Sequence, residues 1–135
     1  MIVDTSALIA LFNDRDPAHA ETAELFGNST DDLIVSPYIV AELAYLVLTG
    51  EGVQAELTVL RALSGGAWEL APFDIDDVRT AISLIERYSD QDVGLADASN
   101  IVLADRYSTR TIATLDHRHF DALRPLRGGR FSIVP

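Results

Sequence analysis

Asp4, Glu42, Asp97 and Asp116 stand where the local pattern asks for an apolar or neutral side chain. Asp4 closes the opening run Met1-Ile2-Val3, and Asp116 follows Thr111-Ile112-Ala113-Thr114-Leu115. Glu42 interrupts an apolar stretch from Tyr38 to Leu48, and Asp97 lies within Leu95-Ala96-Asp97-Ala98. A carboxylate on a buried surface is costly, because the hydration it loses is replaced only by a partner. The chain has no lysine to serve as that partner. The simplest substitute is a divalent cation from outside. Sites built only from carboxylate oxygens suit Mg²⁺ or Mn²⁺, which keep several waters and bind substrate phosphate as well. Such an ion acidifies a water, orients a scissile phosphate and stabilises the leaving oxygen. A pair of ions about 3.5–4 Å apart can serve both ends of an in-line displacement. Like charges crowded together also raise one another's pKa values, so metal affinity should fall as the pH drops.

Each acid has an innocent alternative. Asp4, followed by Thr5-Ser6, could be a helix N-cap, and so could Asp116 ahead of His117. Asp97 could be a first-turn acid favoured by the helix dipole. Glu42 could lie on an exposed helix face, but its helical neighbours Tyr38, Ile39, Tyr45 and Leu46 argue that its face is covered. Asp92 reads as a cap for the Leu95 helix rather than a further site acid.

Other phosphate chemistries are excluded by what is absent. A P-loop, an Asp-x-Asp phosphotransferase and a receiver domain each need a lysine. No glycine-rich dinucleotide fingerprint follows the first strand, where Asp4-Thr5-Ser6-Ala7 stands. Ser6 lacks a nucleophile elbow and a paired histidine. His117 and His119, with only His19 elsewhere, make a poor zinc site.

The elements that must position these residues alternate between strand and helix. Strands are expected at Ile2-Val3, 32–35, 68–71, 111–115 and 131–134. Helices are expected over 5–12, from Asp16-Pro17 to about Gly27-Asn28, and from Ser36-Pro37 through Leu48 with a stop at Gly50. Further helices are expected over 53–63, from a cap at Asp74 to Tyr88, and from Leu95 to about Tyr107, with a short turn over 116–123. Alternation of this kind implies an α/β fold, a parallel sheet covered by helices on both faces. Sites in such sheets lie at the carboxyl ends of strands, where Asp4 and Asp116 fall. Glu42 and Asp97 would lean in from flanking helices.

At 135 residues, 48% of them hydrophobic, the chain makes one domain over residues 1–135 with a substantial core. It has no cysteine, and neither a signal sequence nor a membrane span is expected, so the cytoplasm is the default compartment. The net charge of −11 is unevenly spread. Residues 1–105 hold four arginines against nineteen acids, whereas residues 106–135 hold six arginines against two. An arginine-rich edge beside an acidic pocket suits gripping phosphates, with Arg110, Arg118 and Arg124 as candidates. Solvated arginines at the end of an acidic body are the alternative.

Four segments together carry a family resemblance. Met1 to Leu8, Ser36 to Leu43, Gly94 to Ala98 and Ile112 to Phe120 resemble the PIN-domain nucleases, and in particular the VapC toxins of toxin–antitoxin pairs. The resemblance covers essentially the whole chain. It implies a three-layer PIN-like fold with a central parallel sheet of about four or five strands. It also implies a catalytic, metal-holding pocket of Asp4, Glu42, Asp97 and Asp116 around Mg²⁺, with Mn²⁺ a possible substitute. Asp4 and Asp97 would hold the metal most directly, with the Ser6 and Thr114 hydroxyls nearby. The implied activity is endonucleolytic cleavage of RNA, transfer or ribosomal, to 5′-phosphate and 3′-hydroxyl ends. Implied partners are a cognate VapB-type antitoxin and a second copy of the chain. A non-catalytic relative binding RNA or protein, and a metal-dependent DNase, are the alternatives.

Overall fold

The computed structural model describes all residues from Met1 to Pro135. In chain order the elements are β1 (Ile2–Val3), α1 (Thr5–Phe12), α2 (His19–Asn28), β2 (Leu33–Val35), α3 (Pro37–Glu51) and α4 (Val53–Leu63). They continue with β3 (Trp68–Leu70), α5 (Ile75–Arg87), α6 (Leu95–Arg106), β4 (Thr111–Ala113), α7 (His117–Ala122) and β5 (Ser132–Val134). The five strands form one parallel sheet in the order β3-β2-β1-β4-β5. The expected α/β architecture is the one observed.

Strand alternation divides the core in two. In register across the sheet, Ile2, Ile34 and Ile112 point to one face and meet Ala81 and Leu84 of α5 and Ile101 of α6. Val3, Val35 and Ala113 point to the other, against Leu8 of α1, Phe26 of α2 and Ile39 and Leu43 of α3. Both faces are therefore apolar, which is what a sheet covered by helices on both sides requires. The most enclosed helix is α6, with every residue from Ala98 to Ala104 buried. It runs back against the strands, so its N-terminus lies at their carboxyl edge.

Several expected boundaries move, each for a local reason. Asp16-Pro17 does not begin α2. The Asp16 carboxylate accepts from Ala18 N at 2.8 Å and its carbonyl from His19 N at 3.0 Å, closing a turn that precedes the helix. Helix α3 runs through Gly50, where glycine costs only about 1 kcal/mol, and ends at Gly52, whose φ of +89° a side chain would resist. Gly94, rather than Asp92, stands at the N-cap of α6, and Asp92 itself adopts φ +52°. No helix is long and apolar enough to cross a membrane.

Candidate functional site

The chain passes outward from β1 through β2 to β3, then returns to the opposite side of β1 as β4. Neighbouring strands β1 and β4 thus diverge in their connections, which leaves a crevice at their carboxyl ends. Asp4 follows β1, and Thr114 and Asp116 follow β4, so all three stand at that crevice.

Asp4 occupies the N-cap position of α1 but makes no capping bond. Its carboxylate, in a residue only 6% exposed, turns instead to three side chains. Ser6 Oγ donates to Oδ2 at 2.9 Å, Thr114 Oγ1 to Oδ2 at 2.8 Å and Asn100 Nδ2 to Oδ1 at 3.1 Å. Backbone groups fix the direction of both hydroxyls. Ser6 Oγ accepts from Leu115 N at 2.9 Å and Thr114 Oγ1 from Asp116 N at 3.1 Å, so each hydroxyl proton is free for Asp4. The 2.9 Å approach of the two hydroxyl oxygens follows from that convergence.

Asp97 lies in the first turn of α6, where its Oδ2 accepts from Gly94 N at 3.2 Å. Its carboxyl is pushed above the usual carboxylate range, first by burial. The Gly94 N–H and the nearby His119 pull it back, and the negative charges of Asp4 and Glu42 push it up again. The Asp97 carboxyl therefore senses both Asp4 and Glu42. His119 Nε2 lies 3.4 Å from Asp97 Oδ2 without a hydrogen bond between them.

Glu42 corrects the sequence reading. It is exposed, because α3 buries only Ile39 and Leu43 fully and turns Tyr45 and Leu46 to solvent as well. It still belongs to the crevice, since Thr5 Oγ1 donates to its Oε2. Asp116 has a second occupation: its exposed carboxylate accepts from His119 N at 3.1 Å and caps α7. The three candidate arginines part company. Arg110 precedes β4 and so stands at the opposite end of the sheet from the crevice. Arg124 donates to the carbonyls of Asp121 and Leu123 at 2.6 and 2.7 Å. Arg118 is exposed on α7, two residues beyond Asp116.

The donor set fits a hard divalent cation. Asp4, Glu42 and Asp97 offer oxygen only, their charges repel, and no arginine pairs with any of them. As placed, no three His, Asp or Glu side chains are already closed around one point. Sequence reasoning missed Asn100, and weighed His119 only as a zinc ligand. Asn100 carried the same signal as the acids, a polar side chain amid the apolar run of α6, three residues after Asp97.

Comparison with known proteins gives a consistent picture. A family model described as the PIN domain matches residues 1–124. Ribonuclease VapC26 of Mycobacterium tuberculosis (strain ATCC 25618 / H37Rv) is 58% identical over 135 residues, covering 100% of both chains. Among solved structures, M. tuberculosis VapC20, described as a sarcin-ricin loop cleaving toxin, gives a TM-score of 0.80 at 18% identity. That match covers 87% of this chain and 91% of the other. VapBC2 of Rickettsia felis, bound to a DNA fragment from its promoter, gives 0.71 at 17% identity, covering 99% and 98%. At such identities the structural likeness is one of fold.

Proposed function

The chain belongs to the PIN-domain family, and from that premise we propose that it is a Mg²⁺-dependent endoribonuclease, the toxin of a VapBC-type pair. The full-length identity of 58% to a protein named a ribonuclease supports the substrate class. The single observation that carries the chemistry is Asp4, ionisable, nearly buried and held by three donors beside Asp97 and Glu42 with no cationic side chain paired to it.

Asp4, Asp97, Glu42 and Asp116 would hold Mg²⁺, or Mn²⁺ in its place, and the ion would supply an acidified water and charge neutralisation at the phosphate. The reaction adds water oxygen to phosphorus and breaks the bond to the 3′ oxygen, which leaves with a proton. The products are a 5′-phosphate and a 3′-hydroxyl. Ser6, Thr114 and Asn100 orient Asp4 throughout, and Gly94 N–H orients Asp97. Arg118, exposed on α7, would grip a flanking phosphate of a transfer or ribosomal RNA, which the acidic body would otherwise repel.

Two protein partners complete the reading. A cognate antitoxin would silence the crevice, in keeping with the toxin–antitoxin complexes among the structural neighbours from Klebsiella pneumoniae and Rickettsia felis. A second copy of the chain would cover the outer face of α3, where Tyr45 is 65% and Leu46 42% exposed.

The test is cleavage of structured RNA and of single-stranded DNA of the same sequence, with Mg²⁺ and with chelator. Metal-dependent cutting of RNA alone, lost in Asp4→Asn, is expected. Cutting by Asp4→Asn at the wild-type rate would overturn the metal-nuclease reading, and equal cutting of DNA would overturn its substrate class.

A further inference from the structure

Asn100 is fully buried in α6, one turn beyond Asp97. Its Nδ2 donates to Asp4 Oδ1 at 3.1 Å, while its own Oδ1 is buried without a hydrogen-bond partner. We infer that Asn100 is a positioning residue that fixes which oxygen and which lone pair of Asp4 a cation can reach; this rests on the metal-nuclease reading above.

A carboxylate oxygen has room for about two hydrogen-bond donors. Oδ2 of Asp4 already takes both hydroxyls, from Ser6 and Thr114. Oδ1 takes one donor, from Asn100. One acceptor position remains on the whole carboxylate, so Asp4 is offered to a cation through Oδ1 alone and from one direction. Without the amide, Oδ1 would have two open positions, and the carboxylate could turn about the pair of hydroxyls that hold Oδ2.

The amide is also poorly explained as structural glue. A buried carbonyl without a partner destabilises a fold; an apolar side chain of similar size would avoid that penalty, and what it would lose is the bond to Asp4 Oδ1. Its orientation is set from one side only. Reversing the amide would bring its oxygen against the Asp4 carboxylate, so the negative charge of Asp4 holds Asn100 in the orientation that constrains Asp4. The polar residue thus serves the carboxylate rather than the helix.

Two variants separate this role from a structural one: Asn100→Leu, close in size, and Asn100→Ala, which cannot overpack. Each is titrated calorimetrically with Mn²⁺ and melted in chelator beside the wild-type protein. Mn²⁺ affinity is expected to fall about tenfold or more in both, the usual scale for a group that orients a metal ligand. Metal-free melting of both variants is expected to stay cooperative, at a temperature lowered by the lost bond to Asp4 Oδ1, and RNA cleavage by Asn100→Ala should recover as Mn²⁺ is raised. Wild-type affinity in a folded variant would overturn the inference while leaving the nuclease reading intact. Loss of cooperative melting in both variants would also overturn it, by making the amide structural. A wild-type protein that binds no Mn²⁺ would overturn the metal-nuclease reading and this inference together.

Discussion

Ser36 and Ser99 meet in the interior with their hydroxyl oxygens 2.6 Å apart, both fully buried, and so join the start of α3 to α6. Ser99 donates to Ala96 O at 2.6 Å and Ser36 Oγ accepts from Tyr38 N at 3.2 Å, so the shared proton is that of Ser36. This contact ties together the two helices that bring Glu42 and Asp97 to the crevice. Ser99→Ala leaves the Ser36 hydroxyl without an acceptor in a dry place. A loss of about 1–3 kcal/mol is expected in urea unfolding, together with weaker RNA cleavage in the protein that remains folded.

Asp97→Asn should separate stability from function. The amide oxygen can still accept from Gly94 N, and the variant sheds first the cost of burying a charge and then the repulsion from Asp4 and Glu42, against a lost attraction to His119. In chelator the variant should be more stable than wild type, because the balance of these effects disfavours the charged carboxyl. Cleavage should be lost. The measurement is thermal melting without metal, paired with an RNA assay.

A different carboxylate sets the response to acid. Burial pushes the Asp77 carboxyl up, but the Arg106 guanidinium and the hydrogen bond from Asp74 N outweigh it, and the net shift is below the ordinary 3.8. A depressed carboxyl stabilises the fold fully above its unfolded-state pKa, and the contribution is lost as pH falls through the folded-state value. Urea midpoints taken from about pH 5 down to about pH 3 should therefore fall more steeply for wild type than for Asp77→Asn. Parallel curves would remove Asp77 from the account of acid sensitivity.

The outer face of α3 makes a further prediction. Tyr45, Leu46 and Leu48 are 65%, 42% and 41% exposed on one helix, with Val53 at 53% just beyond its end. Tyr45→Asp should convert a dimer to a monomer in sedimentation without lowering the melting temperature of the monomer. A wild-type protein that sediments as a monomer at micromolar concentration would count against the proposed pairing.

Much of the architecture was legible because each element carries its own local signal. The Ser36-Pro37 start of α3, the Asp74 cap of α5 and the paired glycines after α4 name their boundaries in types that favour those geometries. The order of strands was not legible. Segments as short as Ile2-Val3 and Leu33-Val35 look alike, and only packing decides which lie side by side. In the crevice, the placement of Asp4 and Asp116 at the carboxyl ends of strands followed from the rule for parallel sheets. Glu42 was misjudged because its apolar neighbours Tyr45 and Leu46 are themselves turned outward, which periodicity alone does not reveal. Asn100 escaped notice because an amide signals its burial less loudly than a charge does.

The bond between Thr114 and Asp4 joins residues 110 positions apart in the chain. A chain without β4 lacks Thr114 and Asp116 and leaves Oδ2 of Asp4 with Ser6 as its one hydroxyl donor. That separation makes the crevice a readout of the whole sheet, because β1 and β4 must pair before the two residues meet.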